Sequence, residues 1–167
     1  MKAAILVEDI YQELELWYPY YRLIEEGISV DIVGPESGKR YQSKYGYPAQ
    51  SNKAADKVTA KDYDAIIIPG GYAPDRMRIH LSMVKLVKSA FDEGKVVAAI
   101  CHAGWMLCSA DILQGKSATC YYAIKDDLIH AGANYLDESV VVDGNLITSR
   151  KPDDLPDFCK AIINALT

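Results

Sequence analysis

The amino-acid sequence predicts an α/β protein with a mostly parallel central sheet and helices on both of its faces. Short runs of β-branched and small apolar residues recur along the chain, which is typical of strands buried on both faces. Between these runs, apolar residues recur at helical spacing and indicate amphipathic helices. Strands that alternate with helices in this way form parallel sheets, and ligands bind beyond the carboxyl ends of such strands.

The first part of the chain alternates regularly and then becomes irregular. Gly27 is a natural end for the first helix, and Pro19 should kink that helix or weaken its first turns. A region rich in glycine and tyrosine follows and indicates short antiparallel strands or a hairpin. The predicted elements are a strand at 2–7, a helix at 12–26, a strand at 28–34 and the irregular region at 35–60.

The second part continues the alternation and closes with a hairpin and a helix. Asp143 and Gly144 stand between two apolar runs, which is a strong hairpin signal. The predicted elements are strands at 63–71, 95–100 and 117–121, helices at about 80–94, 102–113 and 124–132, the hairpin at 139–149 and a last helix at 153–166.

Composition narrows the classes of protein that this chain can belong to. Its 167 residues suit one domain spanning 1–167, and a net charge of −5 argues against a nucleic-acid partner. The apolar runs are too short to cross a bilayer, and Glu8 and Asp9 interrupt the first run too early for a signal peptide. A cytoplasmic protein is therefore expected. Its four cysteines lack the paired spacing of a zinc site, so we expect free thiols, no metal and no cofactor.

Cys101 is the strongest candidate for chemistry. It stands between a buried strand and a helix and is followed by Ala103 and Gly104, the small residues that a nucleophile elbow requires. Backbone N–H groups at a helix N-terminus favour the thiolate, the reactive form of cysteine. The alternative is that Cys101 is a small buried hydrophobic residue, which is common for free cysteine.

The neighbouring candidates are weaker when they are judged from the residues alone. His102 could be the base, but adjacent side chains in such a turn usually point apart, and a surface histidine is the alternative. Gly70 and Gly71 follow a buried strand, and the amide of Gly71 together with that of His102 could form an oxyanion hole; a plain turn is equally compatible. For Glu15, on the first helix, a solvated surface position is the better expectation.

These segments together resemble the PfpI/ThiJ superfamily, in its PfpI-type branch of intracellular cysteine proteases and amidases. The resemblance rests on Glu15 four residues before Pro19, on "PGG" at 69–71, on "AICH" at 99–102 and on "TSRKP" at 148–152, and it covers nearly the whole chain. It implies a flavodoxin-like sandwich related to class I glutamine amidotransferases.

The resemblance also implies roles for particular residues. The family nucleophile falls on Cys101, the glutamate that contacts it on Glu15, the oxyanion amides on Gly71 and His102, and pocket positions on Gly70 and Tyr121. The histidine His102 would pair with Asp75 of a neighbouring subunit, where close relatives carry glutamate. A homodimer or hexamer with its active site near the subunit interface is therefore implied.

Three functions remain open from the sequence. The first is a cysteine-dependent hydrolase, acting on peptides, or a glyoxalase or deglycase-like enzyme acting on small carbonyl compounds and glycated proteins. The second is an oxidation sensor or stress chaperone in which Cys101 is oxidised beside Glu15. The third is a binding module that has lost catalysis.

Overall fold

A computed structural model describes residues 1–167 and shows a seven-stranded sheet at the centre of the protein. The strands lie in the order β10-β11-β7-β6-β1-β2-β5, and every pairing is parallel except that of β10 with β11. The predicted mostly parallel sheet is confirmed. The strands are β1 (Lys2–Leu6), β2 (Ser29–Gly34), β3 (Arg40–Gln42), β4 (Pro48–Gln50), β5 (Lys53–Ala54), β6 (Ala65–Ile68), β7 (Val96–Ile100), β8 (Ser117–Ala118), β9 (Asn134–Tyr135), β10 (Val140–Asp143) and β11 (Leu146–Ser149).

Six helices surround the sheet. They are α1 (Glu13–Glu25), α2 (Ala73–Met77), α3 (Leu81–Asp92), α4 (Gly104–Ser109), α5 (Lys125–His130) and α6 (Leu155–Leu166). The helices α1 and α6 pack on each other and on the sheet, while α3 packs on β6, β7 and α4. None of these helices is long and apolar enough to cross a membrane.

Burial on both faces of the sheet explains why the sequences of the central strands are unbroken apolar runs. Every residue of β6 and β7 is buried, as are the last four residues of β1, so both faces of the sheet are covered. Burial of each large aliphatic side chain stabilises the folded state by about 1.5–3 kcal/mol relative to an exposed one. The middle of the sheet is thus a rigid platform, and the loops at the carboxyl ends of its strands are held in fixed positions.

Several sequence predictions are corrected by the structure. The helix α1 continues through Pro19 to Glu25 without interruption. The helix predicted at 102–113 is shorter, because Asp111 adopts a positive φ of 54° that ends it early. The predicted hairpin within 35–60 is present as β3 and β4, whereas the five-residue helix α2 was not expected.

Candidate active site

Cys101 stands at the carboxyl end of β7, in a turn that strains its backbone. Its φ is 62°, a left-handed conformation that few residues other than glycine adopt, and it begins a short 3-10 turn that leads into α4. Strain of this kind costs about 1–3 kcal/mol and persists only where the surrounding structure imposes it. The buried strand β7 and the packed helix α4 impose it here, and they aim one thiol at the top of the sheet.

The thiol meets the ring of its own neighbour. Cys101 Sγ lies 3.2 Å from His102 Nδ1, although adjacent side chains in such a turn were expected to point apart. Burial lowers the pKa of His102, and the nearby Lys44 lowers it further, so the imidazole is neutral at neutral pH and can accept the thiol proton.

Aromatic rings fix the orientation of the His102 ring. Tyr121 stacks on it with centroids 4.9 Å apart, and Trp105 approaches edge-on at 5.2 Å. Trp105 is itself held, because its Nε1 donates a 2.8 Å hydrogen bond to Asp127 Oδ2. The exposed carboxylate of Asp127 thus anchors one wall of the site. Tyr72 lies further from His102, at 6.1 Å.

Glu15 is fully buried in the first turn of α1, against the expectation from composition that it lies at the surface. Its Oε2 accepts a 2.6 Å hydrogen bond from the N–H of Gly70, and its Oε1 has no hydrogen-bond partner. Burial raises the pKa of Glu15 to about 8, so the carboxyl group keeps its proton at neutral pH. A protonated acid with a free oxygen thus lies beside the Cys101 thiol.

Burial opposes the thiolate that the sequence predicted at Cys101. Desolvation, together with the charge of an ionised Glu15, raises the pKa of Cys101 to about 12, while the backbone amides of His102 and Gly71 lower it. The two acids are coupled: when Glu15 is protonated it no longer repels a negative sulfur. The resting group is nonetheless a thiol, so a base is needed to activate it.

The glycine pair after β6 has no room for side chains. A Cβ on Gly70 would lie 2.5 Å from Glu15 Oε2 and 2.8 Å from Cys101 Cβ. Gly71 has a φ of 76°, and a Cβ there would lie 2.6 Å from both Ile10 O and Gln12 N. These glycines let the backbone approach the thiol closely enough for the Gly71 amide to face the sulfur.

A cavity of about 380 Å³ opens above the thiol. Besides Glu15, Gly71, Cys101, His102 and Tyr121, its lining includes Gln12, Lys44, Tyr72, Ala123 and Pro152. Lys44, Tyr72 and Pro152 were not predicted to line the site. They come from three segments that are far apart in the sequence, and no local pattern marks a residue that only the tertiary fold brings to a site.

The remaining candidates lie outside this cavity. Asp75 is exposed on α2, does not line the cavity and forms no hydrogen bond with His102 of its own chain, so its role across a subunit contact stays a prediction. The ring of His80 also lies outside the cavity, with its Nε2 2.8 Å from Oε2 of the buried Glu8. No group of three or more His, Cys, Asp or Glu side chains is arranged to hold a metal ion.

Fold and site together define an α/β protein with a cysteine on a nucleophile elbow, beside a histidine and a buried glutamic acid. The model of the DJ-1/PfpI family matches residues 1–165, and the chain belongs to this family.

Named relatives match over almost their whole length. The chain is 42% identical to Deglycase PH1704 of Pyrococcus horikoshii over 166 residues, which cover 99% of each chain. It is 35% identical to Protein/nucleic acid deglycase 2 of Escherichia coli over 167 residues, covering 99% of this chain and 97% of that one.

Solved structures share the fold closely. A two-domain protein of Anabaena variabilis with DJ-1/ThiJ/PfpI-like and ferritin-like domains superimposes with a TM-score of 0.98 at 42% identity. This chain is covered to 99%, and it spans half of that longer protein. Drosophila melanogaster DJ-1beta gives a TM-score of 0.92 at 29% identity, covering 99% of this chain and 89% of that one.

Proposed function

We propose that this protein is a cysteine-dependent hydrolase that acts on carbonyl carbon, with the deglycase activity for which its relatives are named. The observation that carries the proposal is the 3.2 Å contact between Cys101 Sγ and a neutral His102 ring at the base of an open cavity. A buried cysteine with a structural role alone has no need of a strained turn, a base and two converging amides. The deglycase names of the relatives support the same class of substrate.

The geometry supports a sequence of steps in which His102 moves the proton. Its Nδ1 takes the proton of the Cys101 thiol as the sulfur forms a bond to the substrate carbonyl carbon. The electron pair of the C=O bond moves to oxygen, where the amides of Gly71 and His102 donate to the oxyanion. With an ester or amide, the C–X bond then breaks, His102 returns the proton to the leaving group, and water hydrolyses the thioester. With an aldehyde no bond breaks to a leaving group, and His102 returns the proton to the oxyanion, which gives a hemithioacetal.

Glu15 has a supporting part in these steps. Glu15 is a neutral acid at neutral pH, so it does not repel the negative charge that develops on the sulfur and on the oxyanion. An ionised carboxylate at the same place would raise the pKa of the thiol further. We therefore expect activity to decline as Glu15 ionises, which sets an alkaline limit near pH 8.

The proposal extends to the assembly and the location of the protein. Asp75 of a neighbouring subunit would orient the free ring nitrogen of His102 in a homodimer or hexamer, as the family resemblance implies. The exposed position of Asp75 on α2 supports a role outside its own protomer. We also propose that the protein works in the cytoplasm as one domain and takes small carbonyl compounds, peptides or glycated proteins.

The test is turnover of methylglyoxal, of its adducts with N-acetylarginine, and of a peptide reporter. We expect wild-type protein to consume at least one of them and Cys101→Ser to lose at least about a hundredfold in rate, since the nucleophile is removed. Cys108→Ser is the matched control, because that thiol lies in α4 outside the cavity. Equal rates for wild type and Cys101→Ser would refute the proposal.

The oxidation-sensor hypothesis has less support from the site. Peroxide reacts with thiolates, and burial raises the pKa of Cys101 rather than lowering it. Intact mass after mild peroxide treatment measures this directly, and we expect Cys101 to gain oxygen slowly. Rapid formation of a sulfinate at Cys101 would reverse this ranking.

A further inference from the structure

Lys44 places a positive charge at the mouth of the Cys101 cavity. It lies in the loop between β3 and β4 and is among the residues lining that cavity. Its ammonium group forms no ion pair with any carboxylate of the chain. The rings of Tyr45 and Tyr72 lie near it, each with its centroid 5.8 Å from Nζ. This ammonium group therefore remains available to a ligand.

The other titratable groups of the cavity do not balance this charge at neutral pH. Glu15 keeps its proton because its pKa is raised to about 8, and the Cys101 thiol is neutral for the same reason of burial. His102 is neutral because its pKa is lowered. Lys44 also lowers the pKa of both Glu15 and His102, as expected for a positive charge at the same cavity. The lining as a whole is thus positive.

Backbone and side-chain hydrogen bonds hold the loop that carries Lys44. The Lys44 N–H donates to Tyr11 O at 2.9 Å, and Ser43 Oγ donates to Glu13 Oε2 at 2.6 Å. The same carboxylate oxygen of Glu13 accepts from the N–H of Tyr45 at 3.1 Å. Oε2 of Glu13 is therefore engaged by Ser43 and by the Tyr45 amide, and Glu13 forms no ion pair with the ammonium group of Lys44.

We propose that Lys44 determines specificity by selecting carbonyl substrates that carry a carboxylate. This inference rests on the proposed function and refines its substrate class. A substrate whose carbonyl carbon reaches Cys101 would extend its carboxylate toward the hairpin loop and accept a charge-assisted hydrogen bond there. Adducts of glyoxal-type compounds with amino acids that keep a free carboxylate belong to this class, whereas neutral carbonyl compounds lack the contact.

A matched pair of esters tests the inference. Mono-4-nitrophenyl adipate and 4-nitrophenyl hexanoate have acyl chains of the same length and differ in a terminal carboxylate, and the adipate chain is too long for its carboxylate to expel the nitrophenolate by closing a five- or six-membered anhydride. We expect Lys44→Gln to lower kcat/KM for the adipate ester about five- to tenfold, the range of a partly exposed charge-assisted contact, and to change the hexanoate value less than twofold. Lys44→Arg should retain most of the activity, because it keeps the charge.

A control variant separates this contact from the net charge of the protein. Lys61→Gln removes the same charge at an exposed position outside the cavity, and we expect it to leave the ratio of the two kcat/KM values unchanged. If Lys44→Gln lowers the values for both esters equally, or lowers neither, Lys44 does not select the carboxylate and the inference is wrong.

A binding measurement keeps the inference testable if catalysis itself fails. Equal ester hydrolysis by wild type and Cys101→Ser would overturn the proposed function alone. Succinate can then be titrated into Cys101→Ser while the NMR signals of the His102 ring are followed. We expect saturable shifts that the added change Lys44→Gln abolishes. Shifts that persist in the double variant, or their absence in Cys101→Ser, would overturn the role of Lys44.

Discussion

Replacing Glu15 by Gln should stabilise the protein at slightly alkaline pH. A glutamate in an unfolded chain ionises near pH 4.5, whereas the buried Glu15 holds its proton up to about pH 8. Between these values the folded protein binds a proton that the unfolded chain has released. The free energy of unfolding therefore falls as pH rises through this window.

The magnitude follows from the width of the window. Each pH unit inside it lowers the free energy of unfolding by up to about 1.4 kcal/mol, so Glu15 alone removes about 4 kcal/mol between pH 5 and pH 8. Glutamine cannot ionise, and its carbonyl oxygen can still accept the hydrogen bond from the Gly70 N–H. The Glu15→Gln variant should therefore lack this slope and exceed the wild type by about 3–4 kcal/mol at pH 8.

Denaturant unfolding at a series of pH values between 5 and 8 measures the difference directly. Subtracting the wild-type curve from the variant curve cancels groups that both share, such as His102. Glu138→Gln, at an exposed position, is the control and should follow the wild type. Parallel wild-type and Glu15→Gln curves over this range would show that Glu15 ionises normally and would refute the reasoning on the site.

Three further predictions concern the site. Gly71→Ala should lower the free energy of unfolding by about 3 kcal/mol or more, because a Cβ there would lie 2.6 Å from backbone atoms. The control is Gly27→Ala, which has the same φ of 76° but open space around it. It should cost about 1 kcal/mol in the same denaturant assay. Trp105→Phe removes the hydrogen bond to Asp127 and should lower kcat several-fold. It should also shift the acid limb of the pH–rate profile, which reports the ionisation of His102. An unchanged acid limb would mean that Trp105 contributes only packing to the site. Asp75→Asn should lower kcat about tenfold or more in the assembled protein while Asp75→Glu retains activity; full activity of Asp75→Asn would exclude Asp75 as the partner of His102.

The fold could be predicted from the sequence where the elements are long or fully buried. The continuous apolar runs of β1, β6 and β7 and the periodic pattern of α3 leave few other arrangements. The short elements were missed for a physical reason: α2 has five residues and β9 has two, which is too short for a periodic pattern to appear.

The site could be predicted only in part. The strand-to-helix turn at Cys101 is visible because small residues follow it, but the burial of Glu15 depends on how α1 packs on the sheet and brings this side chain to Gly70, which no local pattern records. Neither the positive φ of Cys101 nor the 3.2 Å approach of the His102 ring to the sulfur has a signal in the local sequence. Lys44 is a loop residue that only tertiary structure brings to the cavity.

The backbone of Tyr11 connects the β3–β4 hairpin to the loop that carries Gly71. Tyr11 forms a parallel bridge with Ser43 and an antiparallel bridge with Gly71, and its fully buried side chain donates a 2.7 Å hydrogen bond to Tyr47 O. Its neighbour Ile10 has a positive φ of 66°, unusual for a β-branched residue, and its carbonyl accepts from the Tyr72 N–H. An insertion or deletion in this hairpin would consequently displace the amide of Gly71 as well as Lys44. The hairpin should therefore tolerate point substitutions far better than changes in its length.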